Sequence, residues 1–162
     1  MVVLLIDGPS GSGKTDLAAT IARRWSDPQL PQVVHLDDIY PGWGGLRAAS
    51  EHVVDELLRP LRDGGAPRWQ RWDWERGELA EWHDVDPERP LIVEGCGALS
   101  RASAPLADLT IWVETDDVER RRRALARDGE VYETHWDEWE RQWTAFVVAE
   151  HPRSLATLII PT

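Results

Sequence analysis

The sequence predicts an α/β three-layer sandwich, a five-stranded parallel sheet with helices on both faces, and three observations predict it. Short apolar, β-branched runs recur along the chain at 2–6, 33–36, 91–93, 109–113 and 155–160. Stretches with apolar residues at helical spacing separate them, and strands alternating with helices make a parallel sheet covered on both sides. The first run, Val2-Val3-Leu4-Leu5-Ile6, also breaks at Asp7-Gly8-Pro9 and passes through a glycine-rich loop directly into helix formers.

Each element follows from its residues. Val2–Ile6 reads as a buried parallel strand because it is uninterrupted and β-branched. A first helix is expected from Gly13 to Trp25, with Leu17, Ala18, Ile21, Ala22 and Trp25 on its core face and Pro28 beyond its end. Val33–Leu36 is the second strand and delivers Asp37-Asp38-Ile39-Tyr40 at its carboxyl end, the edge where open α/β sheets bind ligands. Residues 46–62 carry a helical stripe (Leu46, Val53, Val54, Leu57, Leu58, Leu61) closed by Gly64-Gly65. The stretch 67–82 alternates around Trp72 and Trp74, which suggests a short strand or ribbon. Leu91–Val93 runs into Glu94-Gly95 as a third strand, and Leu109–Val113 ends at Glu114-Thr115-Asp116 as a fourth. A basic helix is expected over 117–128 and a second helix over 134–149, where Trp136, Trp139, Trp143 and Phe146 mark a core-facing stripe. Leu155–Ile160 reads as the fifth strand. With no internal repeat and no long linker, 1–162 is expected to form a single domain, with a small arginine lid over about 117–130.

The loop carries the chemistry. Gly8-x-x-x-x-Gly13-Lys14-Thr15 is the P-loop pattern, set between a strand and a helix as that motif requires. Gly8, Gly11 and Gly13, with Ser12 among them, let successive backbone N–H groups curl toward a bound phosphate, and the helix N-terminus adds positive potential. Lys14 can reach the outer phosphates of a nucleotide, and the Thr15 hydroxyl suits a Mg²⁺ ligand.

Further residues fit phosphoryl transfer. Asp37, just past the second strand, can orient an acceptor hydroxyl and take its proton; Asp38 is the other candidate, and both also fit an ordinary solvated turn. Glu94 ends an apolar strand, where an acidic residue supports Mg²⁺ directly or through water. Arg120, Arg123 and Arg127 share one helix face, flanked by Arg121 and Arg122, and could close over a triphosphate. The competing reading is a solvated face pairing with Glu119, Asp128 and Glu130. Tyr40, Trp72, Asp73 and Trp74 lie in segments expected beside an acceptor. Cys96 reads as a small core residue, and the histidines show no metal-ligand spacing.

Composition sets limits. Asp and Glu number 29 against 18 Lys and Arg, a formal net charge of −11, which argues against non-specific nucleic-acid binding and against an anionic membrane surface. A single cysteine excludes an intrachain disulfide and fits a reducing, cytoplasmic compartment. The apolar start is too short to span a bilayer and has no charged leader before it, so it is expected to be a core strand.

Taken together, GPSGSGKT (8–15), HLDDIY (35–40), WDW (72–74), LIVEG (91–95) and the arginine helix (120–128) resemble the uridine kinase and phosphoribulokinase-like branch of P-loop kinases. The resemblance spans nearly the whole chain. It implies the P-loop NTPase fold, use of ATP and Mg²⁺, and transfer of a phosphate to a hydroxyl of a small molecule. It implies further that Asp37 stands at the catalytic carboxylate, that Asp73 lies beside the acceptor pocket, and that Arg120, Arg123 and Arg127 occupy lid positions. Where uridine kinases follow their aromatic-Asp-aromatic segment with His and Arg, this chain has Gly77 and Leu79, so the acceptor stays open, as does the oligomeric state. Two alternatives stand beside the kinase: a slow nucleotide-binding regulator, although no N-K-x-D guanine motif is found, and a degenerate ATP-binding module.

Overall fold

The computed structural model describes residues 1–162 apart from the side chain of Asp128. The central sheet is five-stranded, in the order β2-β5-β1-β6-β7. Its strands are β1 (Val3–Asp7), β2 (Gln32–His35), β5 (Leu91–Glu94), β6 (Leu109–Glu114) and β7 (Leu158–Pro161), all paired in parallel. β1 lies at the centre, with Leu5 opposite Val93 on one side and Thr110 on the other. Side chains alternate along β1, and the core divides accordingly. Leu4 and Ile6 pack with Ala18, Ile92, Ile111 and Val113 on the face that α1 (Lys14–Arg23) covers. Val3 and Leu5 belong to the larger opposite cluster, which contains Leu57, Leu58, Trp136, Trp143 and Phe146.

That second face is covered by the remaining helices. The helix expected over 46–62 is composite: α2 (Leu46–His52), a π-helical turn (Val53–Leu58) and α3 (Arg59–Asp63). Pro60 explains the widening, because its ring would collide with the carbonyl of residue 56 and it has no N–H to donate. The two helices expected at 117–128 and 134–149 are present as α4 (Asp117–Glu150), interrupted at Gly129. With φ 68° and ψ −155° there, the chain adopts a conformation that glycine reaches at little steric cost. Arg120 meets Glu140 at 2.7 Å, although residues twenty positions apart on a straight helix would stand about 30 Å apart, so the halves fold back on each other.

Two boundaries differ from expectation. β7 begins at Leu158 rather than Leu155, because Pro152 opens a short helix, α5 (Pro152–Leu155). α1 stops at Arg23, two residues before Trp25. The tryptophan-rich stretch forms an antiparallel ribbon outside the main sheet, β3 (Arg68–Asp73) with β4 (Glu78–Asp84), in which Trp72 pairs with Leu79. Trp74 falls in the turn beyond β3, not on it. Among the described residues no helix is long and apolar enough to cross a membrane.

Candidate active site

Parallel strands bring their carboxyl ends to one edge, and the predicted chemistry collects there. β1 ends in the 8–15 loop, β2 in a 3₁₀ turn (Leu36–Asp38), β5 in Glu94 and Gly95, and β6 in Glu114. The loop has no room for a side chain at Gly8 or Gly11. Gly11 has φ +79°, and a Cβ on it would lie 1.9 Å from the backbone oxygen of Arg120, so the first turn of α4 packs directly on the loop. Ser12 Oγ is buried inside the loop with no hydrogen-bond partner among the described residues. Its carbonyl accepts from Thr162 Oγ1 at 2.9 Å, tying the chain end to the loop.

Lys14 is buried, and its Nζ folds back to donate to the Pro9 carbonyl at 3.0 Å and to Cys96 Sγ at 3.6 Å. The Thr15 hydroxyl donates to Glu94 Oε1 at 3.0 Å, and His35 Nδ1 lies 2.6 Å from that same oxygen. Burial alone would raise the Glu94 carboxyl, but the His35 hydrogen bond, the Lys14 charge and the Thr15 hydroxyl hold it below its ordinary value. The hydrogen bond to Glu94 raises His35 above its own, against the opposing effect of burial. Thr15 and Glu94 therefore present adjacent hard oxygens, a donor set suited to Mg²⁺. Among the described residues no cluster of three or more His, Cys, Asp or Glu could hold a metal, so such an ion would need phosphate oxygens and water to complete its shell.

Asp7 was not singled out by its position as the last β1 residue, yet it organises the edge. Fully buried, it accepts from the backbone N–H groups of Gly8 (2.7 Å), Gly97 (3.1 Å) and Leu99 (2.8 Å), clamping the loop to the segment after β5. Burial pushes its carboxyl up to about 7, with the Leu99 N–H and the Lys14 charge pulling the other way.

Beside the loop is a cavity of about 430 Å³ lined by Ser10, Asp37, Tyr40, Trp43, Trp74, Arg127, Val131, Tyr132 and Trp139. Ser10 joins it to the loop: its Oγ accepts from Tyr132 Oη at 2.6 Å. Asp37 lines the cavity and Asp38 does not, which separates the two candidate carboxylates. The Trp74 indole donates to the Asp37 carbonyl at 2.9 Å, so the β3–β4 ribbon holds the turn that carries Asp37. Tyr40 is buried in the wall, with its hydroxyl on the Cys96 carbonyl at 2.8 Å. Cys96 itself is a buried thiol whose pKa burial raises, in keeping with a packing role.

Other expected site residues are placed elsewhere. Trp72 pairs across the ribbon and is not in the cavity lining. Asp73 closes the ribbon turn by accepting from the backbone of Glu75 and Arg76, and it too lies outside that lining. Arg120 is held by Asp117 at 2.7 Å and by both carboxylate oxygens of Glu140, and Arg123 is held by Glu119 at 2.8 Å. Their guanidinium groups are thus engaged within and around α4, as the solvated-face reading expected for Glu119; a pairing with Asp128 lies outside the described residues. Arg127 alone of the three lines the cavity. Trp43, Tyr132 and Trp139 were not anticipated there. Trp139 does belong to the core stripe as expected, but it also forms cavity wall.

Comparison with solved structures agrees with this architecture. The chain superposes on a protein described as a possible uridine kinase from Bacillus stearothermophilus with a TM-score of 0.68, at 19% identity, covering 98% of this chain and 88% of that one. It superposes on phosphoribulokinase from Rhodobacter spheroides with a TM-score of 0.62, at 18% identity, covering 99% of this chain and 69% of that one. The fold is that of the P-loop kinases. No family model matches the sequence, and no curated protein matches it. At these identities the likeness shows the fold, and function rests on the geometry of the site.

Proposed function

We propose that this chain is an ATP-dependent phosphotransferase that moves the γ-phosphate of ATP to a hydroxyl of a small molecule, in the manner of a nucleoside kinase. The observation that carries the reading is the cavity that begins at Ser10 of the phosphate loop and has Asp37 in its wall. A donor site and an acceptor site so joined can hold two reactants in contact, which is most of what phosphoryl transfer requires. The backbone of 8–15 would bind the phosphates, with Ser12 Oγ and Lys14 as further donors, once Lys14 exchanges the Pro9 carbonyl for a phosphate oxygen. Thr15 and Glu94 would hold Mg²⁺, which supplies charge neutralisation on the phosphates. Asp37 would orient the acceptor hydroxyl and receive its proton, and Arg127 would offset charge developing between the sites. In this reading 1–162 works as one unit, 117–130 is its lid, and its partner is a small molecule rather than nucleic acid or membrane.

A second reading, nucleotide binding with little turnover, is favoured by the engagement of Arg120 and Arg123 in ion pairs. ADP formation measured with ATP and Mg²⁺ across a panel of nucleosides, sugars and pantothenate-like alcohols separates the two. Acceptor-dependent ADP formation supports the kinase; tight nucleotide binding with no acceptor-dependent turnover supports the regulator.

A further inference from the structure

α4 meets the phosphate loop at two points. Near its start the backbone oxygen of Arg120 stands where a Cβ on Gly11 would go, and the Arg120 guanidinium is tied to Glu140 on the returning half. These contacts hold the base of a helical hairpin whose bend is at Gly129. The second meeting is beside the bend. Tyr132 Oη donates to Ser10 Oγ at 2.6 Å, one residue before Gly11 in the loop.

Both partners are buried, Tyr132 at 5% exposure and Ser10 at 7%. The Tyr132 ring is set by Trp43, stacked on it at 5.4 Å, and by an edge contact with Trp136 at 5.5 Å. Phenylalanine would keep both ring contacts, so what tyrosine adds is the bond to the loop. Burial raises the Tyr132 pKa, which keeps the hydroxyl protonated and donating. Packing does not restrain the bend itself: a Cβ on Gly129 would meet nothing within 4 Å. Arg127, two residues before Gly129, lines the cavity together with Ser10, Asp37 and Tyr132 while this bond is made. The fastened form is thus the one in which the proposed donor and acceptor groups surround one cavity, and it suits the nucleotide-bound chain as well as the free one.

We propose that Tyr132 is a gating residue: its bond to Ser10 fastens the bend of α4 to the phosphate loop, breaks only while nucleotide passes, and so sets how fast nucleotide enters and leaves. This rests on reading 8–15 as a nucleotide site. A contact present in the free and bound forms and lost between them raises the barrier in both directions. It leaves the equilibrium where it was, because it favours neither form over the other.

Stopped-flow fluorescence with N-methylanthraniloyl-ATP and Mg²⁺ on the full chain, in the absence of any acceptor, reads both rates, with excess unlabelled ATP to follow release. Tyr132→Phe should speed association and release each by about fivefold, the worth of one neutral hydrogen bond, while Kd stays within about twofold of wild type. In a Ser10→Ala background the same substitution should change neither rate, because the partner of the hydroxyl is already gone. Faster release alone with a correspondingly weaker Kd, or the same acceleration in the Ser10→Ala background, overturns the proposal. If Tyr132→Phe does not fold, Ser10→Ala decides by itself: both rates must rise. No binding by the wild-type protein would sink the phosphotransferase reading and the gate together, whereas normal binding with unaltered rates in Tyr132→Phe sinks the gate alone.

Discussion

The phosphate loop and the cavity beside it are built by different means. The loop is one continuous stretch, 8–15, shaped by glycines and aimed by the strand before it and the helix after it. The cavity is assembled from separate segments: Ser10 in the loop, Asp37 to Trp43 after β2, Trp74 beyond the ribbon, and Arg127 to Trp139 across the break in α4. A backbone-built site tolerates change around it, because its donors are peptide groups common to every sequence. A side-chain-built site depends on several elements arriving in register. The fold itself is shared with solved structures at only 18–19% identity.

Substitutions can break that contrast most sharply on the loop side. Lys14→Ala removes the cation that the phosphotransferase reading sets on phosphate, so turnover should fall by about 10³ and ATP–Mg²⁺ affinity should fall with it. Calorimetric titration of a folded variant checks this, and unchanged binding would refute the phosphate-site reading. Asp37→Asn strikes the cavity side alone. Turnover should drop by about 10² with ATP affinity nearly unchanged, because the substitution keeps size and hydrogen bonding but removes the base. If Asp38→Asn proved the crippling change instead, the geometry of the 36–38 turn would be misassigned.

The arginines sharpen the comparison within α4. Arg127 lines the cavity, and Arg127→Ala should lower turnover by about tenfold with little effect on nucleotide affinity. Arg123 is held by Glu119, so Arg123→Ala should cost less, about threefold or under. Steady-state kinetics with a turned-over acceptor give both numbers. The reverse ranking would move the cationic role proposed for Arg127 to Arg123.

The smallest expected effect concerns pH. The Asp7 carboxyl is raised from 3.8 to about 7 in the folded chain, so between those values the folded state holds a proton that the unfolded chain has released. Stability must then decline as pH rises through that window, the opposite of the usual carboxylate. His35, raised by Glu94, acts in the same direction: its stabilising charge is present below its unfolded pKa and lost as pH climbs through the folded one. The melting temperature should therefore fall by roughly 5 °C between about pH 5 and pH 8. Asp7→Asn should flatten much of that slope, which scanning calorimetry across the range would show.

Much of this was legible in the chain. The central strands announce themselves because they are buried on both faces and so apolar, as in Leu91–Val93, which is fully buried. The phosphate loop is legible because its geometry depends on residue types a few positions apart. Glu94 and Asp37 could be placed by their positions at strand ends. Trp72 and Asp73 illustrate the limit: strand alternation locates the ribbon, but the ribbon's attachment through Trp74 decides which side chains reach the cavity.

By itself, then, the sequence determined the sheet, its helical layers and the phosphate loop, since these follow from periodicity and local steric rules acting within about ten residues. Tertiary structure alone decided the rest. It turned α4 back at Gly129, engaged Arg120 with Glu140 and left Arg127 at the cavity. It also brought His35 onto Glu94, buried Asp7 against three backbone N–H groups, and set Trp139 in the cavity wall with its N–H unpaired. Each of these is a contact between residues distant in the chain, and its energy depends on burial that no local pattern records.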